Sequence, residues 1–135
     1  MWDGFQPPHK SKLNVYMNIS EIYVHEIEKY KIIGSDDEWY IANLVESLLS
    51  ACQPHDAFNA MPLIILHAID ESDSEIFICD LQFILSLARK SRTTETPSSL
   101  VIHAPELAQK ARMFGEVAYQ TLEQLFIWFR ITDVI

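Results

Sequence analysis

The chain has 135 residues, 49% of them hydrophobic, with three glycines and a formal charge of −9 at pH 7. That size makes one domain the expectation, and the apolar content excludes a disordered or low-complexity chain, which could not bury enough surface to offset its conformational entropy. The acidic excess excludes direct binding to nucleic acid, which needs clustered Lys and Arg against phosphates, and speaks against an anionic membrane surface.

Residues 1–17 read as an irregular amino-terminal segment. Trp2 to Pro8 lack a basic stretch followed by an apolar one, so no export signal is expected. The longest apolar runs, 61–66 and 125–129, fall far short of the ~20 residues that a membrane-spanning helix requires. Cys52 and Cys79 are too few for a disulfide framework and are expected to be reduced core residues of a cytoplasmic protein.

Three segments open with a polar cap followed three positions later by Glu, the reciprocal arrangement that satisfies two orphan backbone donors: Asn18 with Glu21, Ser35 with Glu38, and Ser72 with Glu75. After the first, Ile19, Ile22, Tyr23, Ile27, Tyr30 and Ile33 recur at helical spacing until Gly34. The second predicts a helix from about Asp36 to Cys52, with Pro54 beyond its end. Next, Asn59 reads as the cap of a helix with Pro62 in its first turn, continuing through Ile69. The same run, 61–69, also fits a short buried strand.

From about Asp73 to Lys90 the pattern is apolar on nearly every side, which predicts a helix in the centre of a bundle. Residues 91–104 read as a loop, richest in Ser and Thr over 91–99. A last helix opens at Pro105 and Glu106 and runs to Phe129. The expected fold is thus an all-α bundle of about five helices spanning 1–135, with α+β the alternative if 61–69 is a strand. Near the carboxyl end, 125–129 are apolar all round. Either the amino-terminal segment, through Trp2 and Phe5, covers them, or Trp128 and Phe129 form an interface with another chain.

Charge is unevenly distributed. Residues 1–33 carry four acids and four bases, residues 34–90 ten acids and two bases, and residues 91–135 five acids and four bases. Between Lys31 and Arg89 there is no Lys or Arg. The acids cluster as Asp36, Asp37 and Glu38, and as Asp70, Glu71, Asp73 and Glu75. Up-and-down topology with short turns would bring both clusters to one pole. Carboxylates in a first helical turn are favoured by the macrodipole. That leaves unexplained why seven gather without a nearby base to relieve their repulsion.

Other chemistry finds little support. Calcium would need a glycine at a sharp loop turn and fixed ligand spacing, and the acids around Asp70 have neither. His25 beside Glu26 and Glu28, Cys52 with His55, and His67 with Asp70 are the nearest approaches to a ligand or base. A bundle metal site needs a second matched pair, however, and no Glu-x-x-His occurs. His67, on an apolar segment, reads as a satisfied core histidine. No glycine-rich phosphate loop is present. No metal, cofactor or catalytic residue is therefore expected. The leading expectation is a small binding protein that masks a basic protein partner, as immunity proteins, antitoxins and inhibitors of nucleic-acid enzymes do. The alternatives are an adaptor subunit or homo-oligomer joined through Trp128 and Phe129, and an enzyme using bundle histidines.

Overall fold

Asn18 opens the first helix as its sequence predicts. In the computed structural model, which describes residues 18–132, its Oδ1 accepts from the Glu21 N–H while Glu21 Oε1 accepts from the Asn18 N–H, both at 3.0 Å. Helix α1, Ile19–Ile33, follows and stops at Gly34, whose φ of +76° favours glycine. The amino-terminal segment, with Trp2 and Phe5, lies outside the described residues.

Helix α2, Tyr40–Ala51, starts later than expected. Ser35 Oγ accepts from the Asp37 N–H, and Asp37 Oδ1 from the Trp39 N–H. These short side chains hold their own backbone in a turn, the local competition that keeps Ser and Asp out of helix interiors. Helix α3, Pro54–Asp70, begins earlier than expected. Asp56 accepts from the Gln53 N–H at 3.1 Å, and Pro54 takes the first position, where a missing N–H costs nothing. Asn59 is therefore not a cap, and Pro62 sits inside the helix on its exposed side. Residues 61–69 are helical, so the strand alternative is set aside.

Helix α4, Ser74–Ser91, is capped by Asp73, whose Oδ1 accepts from the Glu75 and Ile76 N–H groups at 2.9 and 3.0 Å. The cap is thus one residue beyond Ser72. Helix α5, Ser98–Phe114, starts well ahead of Pro105 and reduces the expected 91–104 loop to 92–97. Gly115 separates it from α6, Glu116–Phe129, so the predicted last helix is two. The fold is an all-α bundle with six helices and no strand among the described residues.

Gly115 has φ +116° and ψ −174°, a region essentially restricted to glycine. A Cβ there would meet nothing within 4 Å, so substitution strains only the backbone. Gly115→Ala is expected to lower stability by about 1–3 kcal/mol, measured as a lower urea midpoint with unchanged slope.

Helix α4 is the centre. It packs against α2, α3 and α6, while α1 lies on α3 and α5 on α3 and α6. Phe77, Leu81, Phe83, Ile84, Leu87 and Ala88 of α4 are buried in one continuous core. Helix α2 is peripheral, burying only Leu48. No helix among the described residues is long and apolar enough to cross a membrane.

Candidate functional site

The ends of α1 and α3 meet. Lys31, in the last turn of α1, donates to Glu71 Oε1 at 2.9 Å, and Glu71 lies in the turn between α3 and α4. Residues 34–39 and 70–75 therefore occupy one end of the bundle, bringing the two acidic clusters together. Their members are not equivalent. Asp36, Asp37, Glu38, Asp70, Asp73 and Glu75 are exposed, whereas Glu71 is buried, with Lys31 on one oxygen and the Asp73 N–H on the other. Asp37 and Asp73 also hold the backbone of their turns.

Apolar groups share this end. Ile32 and Ile33 are 86% and 71% exposed and Trp39 is 60% exposed, so Ile33 does not belong to the buried stripe of α1. Glu38 and Glu75 both line an open groove of about 720 Å³ between α2 and α4. Tyr30, Ile41, Val45, Leu49 and Phe83 supply its apolar wall. Tyr30 stacks on Tyr40 at 5.3 Å, and the Tyr40 hydroxyl donates to Glu26 at 2.7 Å. Burial, then Glu26, raises the Tyr40 pKa.

A second constellation lies deeper. Asp80, in the middle of α4, is fully buried. Its Oδ1 accepts from the Tyr23 hydroxyl at 2.7 Å, and its Oδ2 lies 2.6 Å from His67 Nδ1. His67 Nε2 lies 2.7 Å from Glu28 Oε2 and 3.9 Å from Glu71 Oε1. Lys31 Nζ closes the chain, 3.3 Å from Glu28 and 2.9 Å from Glu71. Helices α1, α3 and α4 are thus joined by one continuous polar network, from a buried phenol to a half-exposed glutamate.

Both ring nitrogens of His67 face carboxylate oxygens, which only an imidazolium can serve as a double donor. Burial alone would lower its pKa, but Asp80 and Glu28 outweigh that and hold it at about 9. Burial also pushes the Asp80 carboxyl up, against the pull of His67 and Tyr23. The shared proton is best placed on His67, because Asp80 must accept at both oxygens. The hydrogen bond from His67 lowers the Glu28 pKa, and that to Glu71 raises Lys31. Burial, then Asp80, raises the Tyr23 pKa.

Asp80 went unnoticed in the sequence because its window is apolar on nearly every side. That setting was the signal: Asp80 is the one carboxylate beyond the first turn of a helix that is apolar on nearly every side, which favours its burial, and a buried charge is nearly always paired. His67 is a satisfied core histidine, as expected, but its partners are Asp80 and Glu28 rather than Asp70. His25 is exposed, and His55 turns to Asp56 at 3.2 Å. Cys52 is buried and Cys79 half-buried, both free thiols. Burial raises both, and Asp80 adds to the effect at Cys79, which reaches about 11. Phe129 lies in the core, and Trp128 is half-buried with its indole N–H directed at the Thr93 carbonyl. The open apolar group at that end is Ile127, 68% exposed.

Comparison with protein-family models, with curated proteins and with solved structures finds no match to this chain.

Proposed function

We propose that the chain is a binding protein that engages a positively charged protein partner through its acidic end. The observation that supports this reading is that six exposed carboxylates share one end of the bundle with three exposed large apolar side chains, Ile32, Ile33 and Trp39. Capping accounts for Asp37 and Asp73, and the helix dipole for Glu75 in the first turn of α4. Neither accounts for Asp36, Glu38 and Asp70 or for the apolar groups among them. An apolar patch surrounded by charge of one sign is what recognition of an oppositely charged surface requires. The apolar anchors supply affinity, and the field speeds encounter and rejects partners of like charge. Neutralisation of a basic toxin or of a nucleic-acid enzyme belongs to this class, with carboxylates standing where phosphates would lie.

The test is affinity capture from the native source with the wild type, with Trp39→Ala, and with a variant carrying Asp36→Asn, Asp37→Asn, Glu38→Gln, Asp70→Asn, Asp73→Asn and Glu75→Gln. Asn caps as well as Asp, so the amides leave the turns intact. The wild type is expected to retain a basic protein, with association slowing as salt rises because exposed charges are screened. The amide variant loses that protein, and Trp39→Ala weakens its retention by about tenfold or more, as loss of a central aromatic anchor does. Equal retention by the amide variant, or an association rate indifferent to salt, would remove the acidic end as the recognition surface.

A further inference from the structure

Glu28 on α1, His67 in the last turn of α3 and Glu71 in the turn that follows it place three ligand-type atoms within 4.8 Å of one another, and we propose that they form a binding site for a divalent transition metal, with zinc as its reference ion. Glu71 is the cap residue that ends α3, and its extended backbone leaves its carboxylate 3.9 Å from His67 Nε2. Glu28 reaches them from the neighbouring helix.

The surroundings are built as such a site needs. A metal-bound histidine ordinarily gives its other ring nitrogen to a carboxylate, which fixes the orientation and strengthens the ligand. Here Asp80 Oδ2 takes His67 Nδ1 at 2.6 Å and is itself held by the Tyr23 hydroxyl. Two buried polar side chains thereby orient one imidazole whose remaining nitrogen is directed at two carboxylates. Glu71 is also positioned, because its Oε2 accepts from the Asp73 N–H at 2.9 Å and leaves Oε1 facing the site.

Positive charge already stands there. The Lys31 ammonium contacts Glu28 Oε2 and Glu71 Oε1, the oxygens a cation would bridge, and its side chain is 30% exposed. It can swing into solvent without opening the core. The cluster of Glu28, Glu71 and Asp80 with protonated His67 and Lys31 retains one net negative charge. A dication at Nε2 displaces one proton to solvent and the Lys31 ammonium from the two carboxylates, so two positive charges replace two and the net charge is unchanged, with no change of oxidation state.

Ligand spacing requires only side-chain rotation. Donors bound tetrahedrally at about 2.0–2.1 Å stand roughly 3.3 Å apart. His67 Nε2 is now 2.7 Å from Glu28 and 3.9 Å from Glu71, and all three ligand atoms lie within 4.8 Å of one another, so the distance from Nε2 to each carboxylate has to change by only about half an ångström. Glu28 is 48% exposed, which gives the ion an entry path and leaves a fourth position to water. The imidazole favours zinc over magnesium or calcium.

Zinc titrated by calorimetry into chelator-treated protein is expected to bind at one equivalent. His67→Gln and Glu71→Gln should each weaken binding by roughly tenfold or more, while His55→Gln leaves it unchanged. Lys31→Met should tighten it, because the competing ammonium is gone; a purely structural ion pair predicts no such gain. Absence of saturable one-to-one uptake, uptake that survives both ligand substitutions, weaker binding in Lys31→Met, or equal saturation by magnesium would each overturn the site. If a ligand variant fails to fold, histidine ring ¹⁵N spectra of the wild type decide. Zinc shifting His67 Nε2 supports the site, and a shift only at another histidine, or none, overturns it.

Discussion

Replacing Asp80 with alanine is expected to destabilise the bundle by about 3–5 kcal/mol, the range for removing one partner from a buried, hydrogen-bonded charge pair. The magnitude follows from what is left behind. Asp80 is fully buried and accepts from the Tyr23 hydroxyl and from His67. Alanine strands a buried phenol and an imidazolium in the same stroke, and an unsatisfied buried group carries its full desolvation penalty. Asp80→Asn should cost less, because the amide oxygen still accepts from Tyr23. Its NH₂, facing Nδ1, holds His67 neutral with Nε2–H still donating to Glu28. Tyr23→Phe, which removes one donor and leaves the His67 pair intact, should cost about 0.5–1.5 kcal/mol. Urea unfolding orders the series through its midpoints if the slopes agree. With total stability of a small domain at about 5–15 kcal/mol, the alanine variant should also accumulate poorly in cells. An alanine variant within about 1 kcal/mol of wild type would mean that the network is not what ties α1 and α3 to α4.

Stability is expected to fall as pH rises from about 6.5 to about 9, the interval between the ordinary histidine pKa and that of His67 in the folded chain. In that window the native state holds a proton that the unfolded chain has released. The stabilisation is complete below the lower value and lost as pH passes through the upper one. One such proton sets an upper limit of about 1.4 kcal/mol per pH unit, reduced where solvent reaches the Glu28 side of the ring. Unfolding midpoints measured at intervals across this range, with chelator present, should decline for wild type. They should be nearly flat for His67→Gln, in which nothing at that position titrates. Stability constant or rising over the interval in wild type would show that His67 is neutral in the folded protein.

Helix identity was largely legible and helix boundaries were less so, for reasons that differ by position. Asn18 with Glu21, and Gly34 after the last turn, are local signals that nothing in the tertiary structure opposed. Ser35 with Glu38 matched the same signature but formed a turn, because Ser35 and Asp37 used their side chains on nearby N–H groups before the helix began. From sequence Pro54 reads only as lying beyond the end of one helix, yet it is also the first residue of the next, because Gln53 with Asp56 opens α3 there rather than Asn59. Gly115 divides a continuous apolar pattern, and only its backbone conformation distinguishes a tolerated glycine from a break.

The sequence by itself pointed to a bundle of helices with α4 at its centre and determined that its acids are segregated, because periodicity and charge order are properties of neighbouring residues, but it left 61–69 open between helix and strand, which the structure resolves as helix. Tertiary structure alone decided which acids are free. Asp70 and Glu71 are adjacent, yet one is exposed and the other buried against Lys31, whose place beside it depends on how α1 packs on α3. It decided likewise that Tyr23, His67 and Asp80, from three helices, share one chain of hydrogen bonds. Burial removes the solvation of a charged group, and the partner that replaces it is supplied by whichever helix lies alongside, a choice that no local pattern encodes.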